Sequence, residues 1–148
     1  MSSGENWREW SNFGLAYLGD AIFELWCRQY ALQRSQSARQ VHQWVVELVR
    51  CQTQSKLASL WQGKLSEEEL QVFQRGKNQK PITRPKHATV EEYRMATGFE
   101  CVIGYWHLQQ HDRLNEMMHL PESRNLIDAH TSETVSYTHL TLPTKRIV

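Results

Sequence analysis

Two acidic residues stand within apolar stretches of the sequence. Asp20 lies in LAYLGDAIFE, and Glu100 lies in ATGFECVIGY. An ionised carboxylate in apolar surroundings is destabilising unless it is paired, hydrogen-bonded or bound to a metal. Two carboxylates that converge repel each other, and a hard cation such as Mg²⁺ can keep both ionised. The pair therefore indicates either a Mg²⁺ site or two structural carboxylates, each held by a salt bridge or a backbone cap.

Helical periodicity predicts the elements that would bring these two acids together. From Asn12 to Leu32, apolar residues recur every three or four positions and cover nearly every face, so we expect this helix to be central. Small residues share the predicted helix face of Glu100, namely Ala96, Thr97 and Gly104. Since small residues let another helix approach closely, two crossing helices would place Asp20 beside Glu100.

Capping signatures predict where further helices start. A Ser or Thr stands three residues before a Gln or Glu at Ser37–Gln40, Ser66–Glu69 and Thr89–Glu92. The first of these helices is expected to run to about Trp61, and a last short helix is expected in DRLNEMMHL. We find no strand alternation and no internal repeat. The sequence therefore predicts an all-α helical bundle, with one domain over residues 1–120.

Residues 121–148 form a C-terminal tail of a different kind. Its stretch HTSETVSYTHLTLPTKRIV, residues 130–148, has five threonines from Thr131 to Thr144, with no helical period and no caps. We expect this tail to lie outside the fold. It also resembles a translated sequencing-adapter segment, so we expect it to be non-native, and we infer no function from it.

The composition excludes several classes of protein. A net charge of +1 over 148 residues lacks the strongly basic character of a nucleic-acid coating protein. The three cysteines lie far apart in apolar helical stretches, which indicates free thiols in a reducing compartment. No apolar run approaches the roughly 18 residues of a membrane span, and the N-terminal residues do not form a secretion signal. We therefore expect a cytoplasmic protein with no membrane partner.

A local basic segment precedes the helix that carries Glu100. Between Leu70 and Val90 there is no Asp or Glu, although the chain as a whole is nearly neutral. The candidate RNA-binding residues of this segment are Arg75, Lys77, Asn78, Lys80, Arg84 and Lys86. Such a segment suits phosphate groups, and it could present a phosphodiester to a metal held by the two acids. The alternative is a solvated loop whose charges have no specific partner.

These motifs are also familiar as a set. YLGDAIFE resembles the LGDA signature of ribonuclease III domains, and ATGFECVIGYWHL resembles their second acidic motif. With QRGKNQK and PKHATVEEYRM between them, residues 11 to 120 look like Mini-ribonuclease III, the short branch of that family without a separate double-stranded-RNA-binding domain. Three motifs in the right order are a specific signal, whereas LGDA alone would be weak.

The resemblance implies an all-helical endonuclease domain, active as a two-fold homodimer, that hydrolyses double-stranded RNA. It implies Mg²⁺ as the cofactor, with Mn²⁺ as a substitute, and products with a 5′ phosphate and a 3′ hydroxyl. Asp20 and Glu100 match the two central metal-binding, catalytic carboxylates. Two further acids of the larger enzymes are replaced here by Ala16 and Thr97, which leaves open whether one or two metal ions bind.

The same resemblance implies a substrate class, the paired precursor of large-subunit ribosomal RNA. It leaves the part played by Glu24 open, since this residue could act on the metal through water or pair with Arg28. A competing hypothesis is a non-catalytic RNA-binding or ribosome-assembly module with the same fold. Because a scaffold has no need for two costly carboxylates, Asp20 and Glu100 favour the enzyme.

Overall fold

The computed structural model describes residues 6–80, 86–109 and 111–141, with side chains to residue 131. Within these ranges the fold is all-α, as predicted, and contains no strand. Two 3-10 turns, Trp7–Glu9 and Gln62–Lys64, accompany the α-helices. In chain order these helices are α1 Asn12–Leu32, α2 Ala38–Leu48, α3 Cys51–Trp61, α4 Glu67–Lys77, α5 Val90–Leu108, α6 Arg113–Met118 and α7 Pro121–Thr141.

The predicted helix starts are confirmed by their caps. At the start of α4 the Ser66 hydroxyl accepts from the Glu69 backbone N–H, and the Glu69 carboxylate accepts from the Ser66 N–H in return. Thr89 and Glu92 form the same reciprocal box at the start of α5. Such boxes depend on residues three positions apart, which is why the sequence alone locates them.

The single helix predicted from Ser37 to about Trp61 is wrong, because the chain breaks between α2 and α3. Arg50 has an extended conformation, with φ −65° and ψ 151°. The Thr53 hydroxyl donates to the Glu47 carbonyl oxygen at 2.8 Å. Since a carbonyl in the last turn of a helix has no partner within that helix, this side chain stabilises the end of α2.

Helix α5 is the centre of the molecule, and α1 crosses it with the two backbones in contact. A Cβ atom placed on Gly19 would overlap the carbonyl oxygen of Glu100 and lie 2.9 Å from the Gly104 nitrogen. A Cβ on Gly104 would likewise overlap the Leu15 carbonyl oxygen. Side chains larger than hydrogen at these positions would force the helices apart, so the glycines fix the crossing.

Helix α4 packs on α5 through a second pair of glycines. A Cβ on Gly76 would lie 3.0 Å from the Gly98 Cα, and a Cβ on Gly98 would lie 2.8 Å from the Phe73 carbonyl oxygen. Gly76 is therefore buried between two helices of the protein and is closed to a ligand.

The start of the C-terminal tail belongs to the fold, which corrects the domain boundary predicted at residue 120. Ile127 is fully buried, Trp61 Nε1 donates to Ser123 Oγ at 2.9 Å, and the Tyr30 hydroxyl donates to Asp128 Oδ1 at 2.7 Å. The partners of these residues come from α1 and α3, so no local pattern reveals them. For residues 132–148 the prediction of a segment outside the fold stays a prediction.

The three cysteines are free thiols, as the sequence indicated. Cys27 and Cys101 are buried, and burial raises the pKa of both thiols, that of Cys101 to about 12. Within the described residues, no helix combines the length and the apolar character that a bilayer span requires.

Candidate active site

The crossing of α1 and α5 brings the two predicted acids together. Asp20 follows the contact glycine Gly19, and Glu100 supplies the carbonyl oxygen that Gly19 faces. The Asp20 carboxyl lies within hydrogen-bonding reach of the Glu100 carboxyl. Since the helix backbones touch at this point, the meeting of the two side chains is built into the packing.

Burial and the neighbouring acid raise the pKa of Glu100 from the usual 4.5 to about 9. Burial contributes most, followed by the hydrogen bond and the negative charge of Asp20, and the amide of Gln54 opposes them in part. A carboxyl with this pKa holds a proton at neutral pH unless a cation replaces it. A cation bound between Asp20 and Glu100 would therefore offset the repulsion of the two carboxylates and favour the ionised form of Glu100.

The burial of the two acids is unequal, which corrects the expectation that both are enclosed. Asp20 is exposed in the single chain, whereas Glu100 is partly buried. Neither acid forms an ion pair with a basic side chain in the described part of the protein. Among the described residues, the salt-bridge alternative raised by the sequence therefore has no ion pair to support it.

A cavity of about 520 Å³ opens beside the acid pair. Its walls come from α1, α3 and α5, from the residue just after α2 and from the residues just after α4. The lining residues are Phe13, Ala16, Tyr17, Asp20, Val49, Cys51, Gln54, Gln79, Lys80, Tyr93, Ala96, Thr97 and Glu100. Two carboxyls, a lysine and several apolar side chains thus share one open site, which is the composition expected of a polar ligand site.

The family model of the ribonuclease III domain matches residues 14–111, which include both acids and most of the cavity wall. The chain belongs to the ribonuclease III family. It is 42% identical over 109 residues to Mini-ribonuclease 3 of Clostridium tetani, covering 72% of each chain. It is 39% identical over 117 residues to Mini-ribonuclease 3 of Enterococcus faecalis, covering 76% of this chain and 89% of the relative.

The fold agrees with this membership. A crystal structure of a protein from Fusobacterium nucleatum superposes with a TM-score of 0.70 at 33% sequence identity, covering 75% of this chain and 92% of that one. Members of the ribonuclease III family act on double-stranded RNA, and this chain is an endoribonuclease of the family.

The two positions at which the larger ribonuclease III enzymes carry further acids lie in the same cavity. Ala16 and Thr97 both line it, so each position faces the acid pair. The Thr97 hydroxyl donates to the Tyr93 carbonyl oxygen at 2.9 Å and is thereby held to its own helix. Neither residue can supply a charged oxygen. Among the described residues, Asp20 and Glu100 are therefore the only two whose carboxyl groups line this cavity.

Glu24 pairs with Arg28 one turn later in α1. The Arg28 Nε donates to Glu24 Oε2 at 3.0 Å, and both residues lie along an outer groove of α1 that also reaches Asp20. The sequence left open whether Glu24 acts on the metal through water or pairs with Arg28. The contacts of the described residues are those of the ion pair with Arg28.

The basic segment is dispersed more widely than the sequence suggested. Lys80 lines the acid cavity. Lys77 Nζ lies 3.5 Å from Glu91 Oε2, while the Arg75 guanidinium lies 5.8 Å from the centre of the Trp7 ring. Asn78 and Lys86 are exposed, and Arg84 lies outside the described residues. Of the predicted RNA-binding residues that the structure describes, Lys80 is therefore the one that lines the cavity beside the acid pair.

Gln54 is a cavity residue that sequence reasoning missed. It is only 2% exposed and reaches the cavity from α3, close enough to Glu100 to favour its ionised form. Its helix face continues through Leu57, Ala58 and Trp61, which are all buried. A glutamine on an otherwise apolar face is the signal that would have drawn attention to this position.

Proposed function

We propose that this endoribonuclease hydrolyses double-stranded RNA with a Mg²⁺ ion held by Asp20 and Glu100, and that Mn²⁺ can replace Mg²⁺. The main support is the meeting of two carboxyls that have no basic partner among the described residues. Carboxylate oxygens are the protein ligands that Mg²⁺ prefers, and the cavity beside them has room for water and a phosphate group. The donor set therefore fits the cation that the family relationship suggests.

When bound, Mg²⁺ would activate a water molecule for attack on the phosphodiester and stabilise the developing negative charge, giving a 5′ phosphate and a 3′ hydroxyl. The chain supplies the two carboxylates at a crossing whose backbone contact fixes their positions. Because Ala16 and Thr97 add no charge to this site, we expect the protein ligands to hold one ion, and a second ion would depend on water and phosphate oxygens.

Glu100 must give up its proton when a cation binds, since its pKa in the metal-free chain is raised to about 9. Cation binding should therefore release a proton. Affinity for Mg²⁺, and activity at limiting Mg²⁺, should rise as the pH increases from 6 towards 9.

Lys80 is our candidate for holding a backbone phosphate at the cavity. Its ammonium group is exposed beside the acid pair, so it can contact an RNA strand without losing its hydration entirely. We assign Arg75, Lys77, Asn78 and Lys86 to phosphate contacts further along the duplex, and we retain Arg84 as a phosphate-binding candidate from the sequence. Since A-form RNA hides its bases in a narrow major groove, recognition should depend on shape and 2′ hydroxyls more than on sequence.

We propose that two copies of the chain form a homodimer through the outer face of α1. Large apolar side chains are exposed along this face, namely Phe13, Tyr17, Leu25 and Leu32, with Tyr17 71% exposed. An apolar stripe of this kind suits a self-complementary two-fold interface, in which each site cuts one strand of the duplex. Leu25→Arg should give a monomer by sedimentation, whereas Val46→Arg, at an exposed apolar position on α2, should not.

We propose the paired precursor of large-subunit ribosomal RNA as the natural substrate and the cytoplasm as the place of action. The similarity to the short branch of the family supports both. A duplex copied from the stem that brackets large-subunit ribosomal RNA should be cut at defined positions and faster than an unrelated duplex of equal length.

The deciding experiment is incubation of the purified full chain with a long RNA duplex, in Mg²⁺ or in chelator. Asp20→Asn and Glu100→Gln each remove one carboxyl group, and Glu67→Gln, at an exposed position in the first turn of α4, is the matched control. We expect cutting that requires the metal, persists in the control and disappears in both site variants. Duplex binding without cutting by the wild type would contradict the proposal and favour the non-catalytic RNA-binding module.

A further inference from the structure

Gln54 carries a buried hydrogen-bond donor that faces the acid pair. Its side chain is 2% exposed, and its amide nitrogen makes no hydrogen bond in the described part of the chain. The neighbouring buried polar residue, Thr53, is satisfied by the Glu47 carbonyl oxygen. Buried polar groups are nearly always hydrogen-bonded in native proteins, so an unpaired amide at a ligand cavity requires an explanation.

The surroundings of this amide identify its partner. Gln54 lines the cavity together with Asp20 and Glu100, and its amide lies close enough to Glu100 to favour the ionised carboxyl. Among the described residues that line this cavity, only Gln54 has a buried side-chain N–H without a hydrogen bond. A carboxylate has about four acceptor positions on its two oxygens, and a single cation occupies only part of them.

We infer that Gln54 is a positioning residue for the cation site: its side-chain N–H donates to Glu100 and holds that carboxylate in the orientation that binds the metal. This inference rests on the proposed function, since it needs a cation on the acid pair. Helix α3 keeps the glutamine in place because its neighbouring residues Leu57, Ala58 and Trp61 are anchored in the core. Hydrogen bonds of this type to metal ligands commonly change metal affinity by about 10-fold to 100-fold.

A structural role alone does not account for this glutamine. A methionine of nearly the same length would fill the same volume without a buried unpaired donor, so packing favours an apolar residue at this position. The amide is useful only if a carboxylate beside it becomes charged. Replacing Gln54 should therefore weaken cation binding more than it changes stability.

The test measures Mn²⁺ binding by electron paramagnetic resonance at one fixed pH, with the wild-type chain, Gln54→Met and Gln40→Met. Gln40 is the matched control, because its amide nitrogen is also buried without a hydrogen bond but lies on α2, away from the residues lining the cavity. We expect Gln54→Met to weaken Mn²⁺ binding about 10-fold or more. Its melting temperature without metal should stay within a few degrees of the wild type, and Gln40→Met should bind Mn²⁺ normally.

A second measurement on the wild-type chain does not depend on whether the variant folds. In nuclear magnetic resonance spectra, the side-chain amide protons of Gln54 should move downfield when Mg²⁺ is added, and should not move in Glu100→Gln. An Mn²⁺ dissociation constant within twofold of the wild type in folded Gln54→Met, or no movement of these amide protons, would overturn the inference. Wild-type protein that binds Mn²⁺ but leaves duplex RNA uncut would instead contradict the proposed function.

Discussion

Replacing Glu100 with glutamine should abolish cleavage and yet stabilise the metal-free protein, by an amount that grows with pH. The pKa of Glu100 is raised to about 9 in the folded chain by burial and by the neighbouring Asp20, against 4.5 for an ordinary glutamate. Between these two values the folded state holds a proton that the unfolded state has lost. Stability must therefore fall as the pH rises through this window.

The size of the effect follows from the raised pKa. Each pH unit inside the window costs about 1.4 kcal/mol, so the wild type at pH 7.5 should be about 4 kcal/mol less stable than it would be without the titration of Glu100. For a domain of this size such a difference corresponds to roughly 10 °C in melting temperature. Glutamine has nearly the same shape and cannot ionise, so Glu100→Gln should recover most of this difference.

The assay is thermal unfolding in chelator at several pH values between 5 and 8.5. The melting temperatures of the wild type and Glu100→Gln should nearly coincide at pH 5 and separate progressively above it, with the variant higher. Glu67→Gln, at an exposed site, should follow the wild type throughout. Added Mg²⁺ should then raise the melting temperature of the wild type far more than that of the variant. A difference between wild type and variant that is the same at pH 5 and pH 8.5 would refute this reasoning.

Three further predictions concern the helix crossing, the C-terminal helix and the basic segment. Gly19→Ala should lower both cleavage and melting temperature, because the added methyl overlaps the Glu100 carbonyl oxygen, whereas Gly63→Ala, which has open space around it, should change neither. Ile127→Ala should cost about 2–4 kcal/mol in a denaturant titration, since this side chain is fully buried; a loss under 1 kcal/mol would contradict the docking of α7. Lys80→Gln should weaken duplex binding and reduce the slope of log affinity against log salt by about 1, and an unchanged slope would exclude a phosphate contact.

Local features of this protein could be predicted from sequence because their causes are local. The capping boxes at the starts of α4 and α5 need only residues three apart, and both form as expected. The meeting of Asp20 and Glu100 could also be predicted, because small residues around Glu100 indicate a close helix approach. Periodicity assigns a residue to a helix face, however, and does not give the depth below the protein surface at which two helix faces meet. The exposure of Asp20 was missed for that reason.

Other features depend on partners that are distant in sequence. Helix α7 is held by contacts such as those from Trp61 to Ser123 and from Tyr30 to Asp128, which exist only once α1 and α3 are in place. Gln54 was missed in the same way, because its significance comes from Glu100 on another helix. The break after α2 likewise follows from a hydroxyl–carbonyl contact that no capping pattern describes.

The glycine contact between α1 and α5 determines which substitutions near the acid pair the protein can accept. Where two helices are separated by packed side chains, substitutions that change side-chain volume change the separation. Here Gly19 and Gly104 set the separation of the two helices through peptide groups, which are the same for every residue type. Apolar residues around the crossing can therefore be exchanged with little change in the distance between the acids, while the two glycines themselves tolerate almost no substitution.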